Sequence, residues 1–214
     1  AATCARGSSA FVAGGSLASN VRPATGVAWQ VGDLTVPAGR TLTLDPGTIL
    51  KLTFALNVSG TLIAHGTPAA PVIITVPTDD SAGGDTDVDG GAAAPVVTAA
   101  WLTVLHGGTL DFTSVELRYR GLDVTYGTAT VTASVFRHAP QEALRVGVED
   151  AGTANVTVTN SLLVRDGGAS HTVSGYGIGA HLSVLNSTLV GGKIGIMLDE
   201  NAHLDRLVNS IVAF

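Results

Sequence analysis

Apolar and polar residues alternate along this chain in short runs, and turn-forming residues cut each run off before it can lengthen. Leu34-Thr35-Val36, Leu42-Thr43-Leu44, Ile49-Leu50-Lys51-Leu52, Leu56-Asn57-Val58, Leu62-Ile63-Ala64 and Val72-Ile73-Ile74 read as strands, because a period of two places one side-chain set on each face. Pro37-Ala38-Gly39, Asp45-Pro46-Gly47, Ser59-Gly60 and His65-Gly66-Thr67-Pro68 read as the turns between them. No helical stretch separates the strands.

Further along, the pattern repeats with a frame around serine. The copies are Phe112-Thr113-Ser114-Val115, Val131-Thr132-Ala133-Ser134-Val135, Val158-Thr159-Asn160-Ser161-Leu162, Val184-Leu185-Asn186-Ser187-Thr188 and Leu207-Val208-Asn209-Ser210-Ile211. A second element alternates with it: Gly121-Leu122-Asp123-Val124, Ala143-Leu144-Arg145-Val146, Gly177-Ile178-Gly179-Ala180 and Gly195-Ile196-Met197-Leu198. Serines at 114, 134, 161, 187 and 210 give a repeat of 20–27 residues. An antiparallel sandwich brings a turn every ~8–12 residues without returning the same motif. Coils of two or three short strands do return it, each copy pairing in parallel with the last at ~4.8 Å. The predicted fold is therefore all-β, a right-handed parallel β-helix over residues 31–214, with residues 1–30 as an N-terminal cap or irregular segment. Asn160, Asn186 and Asn209 would stack at one bend, since asparagine tolerates left-handed backbone. Thr-x-Thr pairs such as Thr41/Thr43, Thr128/Thr130 and Thr157/Thr159 are read as strand propensity rather than a flat binding face.

Composition narrows the partners. Of 214 residues, aromatics make up 5% and charged residues 13%, and the formal net charge is −6. Lys51 and Lys193 are the only lysines, and no basic stripe exists, so nucleic acid is not an expected partner. No apolar run reaches the ~18 residues needed to span a bilayer. Ala1-Ala2-Thr3 suits a new end left by removal of a leader. Cys4, the only cysteine, reads as a free thiol or as one half of a bond to a part of a longer protein. The apolar Ile211-Val212-Ala213-Phe214 end has no polar cap, which suggests a fragment of a longer chain or an edge that self-associates.

The run Asp33-Leu34-Thr35-Val36-Pro37-Ala38-Gly39, Thr41-Leu42-Thr43-Leu44-Asp45-Pro46-Gly47-Thr48 and Leu56-Asn57-Val58-Ser59-Gly60-Thr61-Leu62-Ile63-Ala64-His65-Gly66-Thr67 resembles the opening coils of bacterial secreted β-helix proteins of the pectin-lyase-like superfamily. The acidic loop that follows, Trp101 and the Asn-Ser coils are also similar to theirs. The resemblance implies a secreted or cell-surface bacterial protein. It does not imply a reaction, because that superfamily holds lyases, hydrolases and adhesins.

The strongest local signal for chemistry is the acidic loop at 78–94. Asp85, Asp87 and Asp89 alternate and precede Gly90, like the first half of an EF-hand calcium loop. The twelfth position from Asp85 is Val96 rather than Glu, so Asp79 or Asp80 would complete a calcium site of Asp79, Asp80, Asp85, Asp87 and Asp89. The plainer reading is a solvated acidic insertion. A second signal is Arg118, His138 and Arg165, each four residues past a motif serine, which would form a row of catalytic candidates if stacked in register. Ordinary outward-facing polar positions explain the row better. A third row, Asp123, Arg145, Gly179 and Met197, lies outward on the second strand. The Asn-Thr-Asp, Asp-Asp, Gly-His-Gly and Arg-Ile-Lys sets of the resembling polygalacturonases do not occur on matching strands, and Gly175-Tyr176-Gly177 carries Tyr where the His would stand. The expected function is thus an extracellular, non-catalytic scaffold or adhesin-like module that binds a polysaccharide or cell-surface ligand. The alternative is a polysaccharide lyase or glycoside hydrolase acting on an acidic polysaccharide.

Overall fold

The computed structural model describes residues 9–12, 14–91, 95, 101–148, 151–166, 171–199 and 201–213. The described residues form a parallel β-helix of about 8 turns and contain no helix. Each turn visits three sheets in a fixed order, here called A, B and C. Sheet A has nine strands, sheet B eight and sheet C seven. Strands stack on the coil before and after, so that Leu56, Leu102, Leu122 and Leu144 form one column of sheet B.

The alternation in the sequence decides which face each residue takes. In Thr41–Leu44 the two leucines are buried while Thr41 and Thr43 look outward. The same holds in Leu34–Val36, Leu56–Val58 and Leu102–Val104, whose end residues are buried around a half-exposed centre. The inward set fuses into one core running the length of the coil, with Phe112 and Phe136 packed edge to face at 6.5 Å. Each fully buried Leu, Ile or Val contributes on the order of 1.5–3 kcal/mol, and repetition makes that contribution continuous.

The bend from sheet C to sheet A is the repeat that the serine motif marked. Ser114, Ala133, Asn160, Asn186 and Asn209 occupy it with φ between 47° and 51°. The first copy therefore places its serine in the bend, one step out of line with the others. Asn160, Asn186 and Asn209 are exposed, and their contribution is the left-handed backbone they tolerate. The buried ladder is made by the serines that follow them. The Ser161 hydroxyl donates to Thr159 O at 2.8 Å and accepts the Ser134 N–H at 3.1 Å. Ser187 and Ser210 repeat the arrangement one and two coils on.

Other findings revise details of the expected repeat. Gly177-Ile178-Gly179-Ala180 is not a sheet B strand. That place is taken by His171–Tyr176, and Gly177 turns at φ 84°, where an added Cβ would lie 1.9 Å from Val148 O. Strands that stack on the coil already occur among the described residues of 1–30. Ser9–Val12 pairs with Ala28–Val31, Gly15–Ser16 with Leu34–Thr35, and Val21 bridges to Leu42. Cys4 and Phe214 lie outside the described residues. On sheet C the threonines fall into register, Thr41, Thr61, Thr109 and Thr128 in one column and Thr113, Thr132 and Thr159 in another.

One coil is far longer than the rest. Ile74 and Leu117 are register partners although 43 residues apart, whereas Leu117 and Phe136 are 19 apart. The excess holds the acidic segment, inserted between a sheet A strand and a sheet B strand.

Candidate functional site

The acidic segment folds back over the outer face of sheet A. Lys51 points outward from that sheet yet is fully buried beneath the segment, and its ammonium donates to Gly84 O at 2.8 Å and Pro77 O at 3.3 Å. Asp79 and Ala82 are buried, and Gly83 packs so closely on Ala28 that a Cβ there would lie 2.6 Å from the Ala28 Cβ. The insertion is thus a fitted cover, not a loose excursion.

Four of the five predicted ligands converge. Asp80, Asp85, Asp87 and Asp89 each bring a carboxylate oxygen within 4.8 Å of the others. Asp85 shapes the turn by accepting the backbone N–H groups of Asp89 and Gly90. One oxygen each of Asp80 and Asp87 is shut off from solvent with no hydrogen-bond partner. Burial pushes the Asp80 carboxyl up, and the charges of Asp87 and Asp85 push it further. Asp87 is likewise raised by burial and then by Asp89. Asp79 points elsewhere. Burial would raise its pKa, but hydrogen bonds from Ser81 and Thr75 and the Arg118 guanidinium outweigh that and hold it below the usual range. Val96, the twelfth position, lies outside the described residues.

Arg118, His138 and Arg165 do not stack as the sequence suggested. Arg118 pairs in register with Arg137, and Arg165 pairs with Ala139 after a bulge. His138 is the bulged residue, with φ 59°, an irregularity that serine spacing alone does not reveal. Their partners differ too. Arg118 ties Glu116 to Asp79 and Ser81, fastening the acidic segment. His138 pairs with Asp166 and stacks on Tyr119 with centroids 4.8 Å apart. Arg165 is buried and donates to Gln141 O at 2.6 Å.

A different surface gathers the groups that could hold a ligand. On sheet B the true outward column is Asn57, Thr103, Asp123, Arg145, Ser174 and Met197. Asp123, only 4% exposed, accepts two hydrogen bonds from Arg145, and the Arg145 guanidinium carbon sits 4.7 Å from the centre of the Trp101 ring. Beside this shelf lies a cleft of about 350 Å³ lined by Glu142, His171, Ser174, Gly175, Tyr176, Met197 and Asp199. His171 Nδ1 is 4.0 Å from Glu142 Oε1.

Two glycines place the aromatic walls. A Cβ on Gly121 would lie 2.2 Å from the Trp101 ring, and one on Gly147 would lie 2.1 Å from the Tyr176 ring. Without side chains there, both rings pack directly against the neighbouring coil. The sequence pattern places Asp123 and Arg145 in one row but does not group His171, Glu142, Tyr176 and Asp199 with them. These residues sit at strand ends and corners of separate coils, so only the register joins them. A correct assignment of His171–Tyr176 to sheet B would have exposed the group.

Other hollows carry less chemistry. One of about 250 Å³ is walled by Leu17, Val21, Leu34, Leu42 and Leu50 at the first coil; its charged group, Arg22, is bound to Asp45. No helix of the described residues is long and apolar enough to cross a membrane. No family model matches the chain, and no curated protein or solved structure matches it.

Proposed function

We propose that this protein is an extracellular, non-catalytic β-helix scaffold that binds carbohydrate in the cleft on sheet B, with a calcium ion bracing its acidic segment. The observation that carries this reading is the cleft itself: the Tyr176 ring and several hydrogen-bonding side chains on a parallel sheet, with the Trp101 ring on the shelf beside them. A sugar presents an apolar C–H face and an equatorial rim of hydroxyls. Aromatic rings suit the first, and carboxylates, Ser174 and His171 suit the second. Rigid parallel strands hold these groups in place without ordering loops on binding, which keeps the entropic cost low.

The resemblance of residues 33–67 to secreted pectin-lyase-like β-helices supports an extracellular, bacterial setting. The pairing of Asp123 with Arg145 supports a binding role, because two hydrogen bonds hold both side chains in place on the sheet. The closed-off oxygens of Asp80 and Asp87 support calcium, a hard cation that takes several oxygen ligands. The second reading, polysaccharide cleavage, is favoured by Glu142 beside His171 within the same cleft.

The test is titration of the protein against a panel of soluble polysaccharide fragments, with Trp101→Ala and Gly147→Ala in parallel. Binding by the wild type that is lost in both variants supports the sheet B cleft. Binding unchanged in both, or none to any glycan, overturns it. New reducing ends or unsaturated products, abolished by Glu142→Gln, would move the protein to the enzymatic reading.

A further inference from the structure

Resting on the carbohydrate reading of the sheet B cleft, we infer that its ligand is an amino-sugar polymer carrying positive charge, rather than a uronate or a neutral glycan. The argument is charge complementarity within a defined cleft. Its described lining contains two carboxylates, Glu142 and Asp199, and one imidazole, His171, with no arginine or lysine. The nearest arginine, Arg145, faces Asp123 through two N–H donors and lies under the Trp101 ring. Counting that pair as neutral, the cleft and its shelf carry two net negative charges with His171 neutral, and one with His171 protonated.

A uronate chain brings one carboxylate per residue and would meet Glu142 and Asp199 as like charges, which is costly in a half-enclosed cleft. A glucosamine chain brings an ammonium on each ring. That ammonium donates to carboxylates, and it favours the ring of Tyr176, whose quadrupole attracts cations. Tyr176 packs on Gly147 and is half-exposed, so part of it borders the cleft. The pyranose ring at the same place packs against Met197, which is half-buried in the cleft wall.

The experiment is calorimetric titration with a glucosamine hexamer, its fully N-acetylated counterpart and a galacturonate hexamer, at mildly acidic pH and low salt. The expected result is a preference of roughly tenfold or more for the glucosamine hexamer over the acetylated one, falling as salt is added. Glu142→Gln and Asp199→Asn, both conservative, each reduce that preference, and Asp87→Asn in the acidic segment leaves it unchanged. Equal affinity for all three hexamers, lost on Gly147→Ala, would overturn the charge preference while leaving the carbohydrate cleft standing. A preference for galacturonate overturns it directly. Loss of glucosamine binding in Asp87→Asn would show a polycation on the acidic segment and also overturns it. Failure of every hexamer to bind removes both this inference and the reading beneath it.

Discussion

Ser187 Oγ accepts the backbone N–H of Ser161, its counterpart one coil earlier, at 3.1 Å while donating to Leu185 O at 2.8 Å. A single hydroxyl thus satisfies the Ser161 N–H at a buried corner and adds a second hydrogen bond to Leu185 O, which also accepts the Asn160 N–H. Ser187→Ala leaves the Ser161 N–H unpaired and is expected to cost about 1–3 kcal/mol. The neighbouring Asn186→Ala should cost about 1–2 kcal/mol, from the left-handed backbone at φ 48° alone, and Asn186→Gly close to nothing. Urea midpoints of the three variants check this, and an equal loss in Asn186→Gly would contradict it.

Arg120 is fully buried, and its guanidinium donates to the carbonyls of Leu52 and Phe54 at the corner two coils below. Burial draws its pKa down to about 10, so it remains charged at neutral pH. Arg120→Met keeps the bulk but leaves both carbonyls without this donor, and a loss of about 3 kcal/mol or more is expected. A loss below about 1 kcal/mol in the same urea assay would show the corner to be held by packing alone.

Lys51 places an ammonium beside the acidic cluster. Its own pKa is pulled down by burial while Asp80 and Asp79 pull it up. Because this charge repels an incoming cation, Lys51→Met should bind calcium more tightly than wild type while melting lower in chelator. Calcium titration followed by thermal melts measures both halves; unchanged affinity would mean the lysine does not face the ion.

Acid should act on the segment in two opposed ways. Asp79 and Glu116 are held below their ordinary values of 3.8 and 4.5, so their stabilisation is complete above those values and lost as pH falls through the lower folded ones. Asp80 and Asp87 are raised, so protonation favours the folded state and acid relieves their repulsion. The stability difference between wild type and Glu116→Gln should therefore be constant above about pH 5 and be lost as pH falls through the lowered folded value of Glu116. The melting gain from calcium should shrink at higher pH than that, as Asp80 and Asp87 take up protons. A calcium gain independent of pH would argue against these carboxylates as ligands.

Gly121→Ala and Gly147→Ala test how the cleft is built. Each new methyl meets a ring at close to 2 Å, 2.2 Å for Trp101 and 2.1 Å for Tyr176. In Gly147→Ala the Tyr176 ring must swing away, so glycan binding should fall at least tenfold while the urea midpoint moves by less than in Arg120→Met. In Gly121→Ala the methyl also lies 2.4 Å from the Glu142 backbone oxygen, so a larger stability loss accompanies the loss of binding. Binding retained in both variants would take the rings out of the site.

Much of the fold was legible in the sequence because a solenoid repeats its local rules. Period-two alternation at Leu34–Val36, Leu42–Leu44 and Leu62–Ala64 fixed which side chains face inward, and the returning serine frame fixed the parallel stack. Those properties depend only on near neighbours and on the length of one coil. The acidic residues were likewise close enough in sequence for Asp80, Asp85, Asp87 and Asp89 to be grouped. Tertiary structure decided what depends on register between coils. It separated Arg118, His138 and Arg165, because a left-handed bulge at His138 shifts one strand against the next. It turned Asp79 to Arg118 instead of the cluster, and it closed the segment over Lys51. It also assembled the cleft from Glu142, His171, Tyr176 and Asp199, and the shelf beside it from Trp101, Asp123 and Arg145, drawn from successive coils. A shift of one residue sends a side chain to the other face, so composition and motif spacing could name these residues but only the stacked register could bring them together.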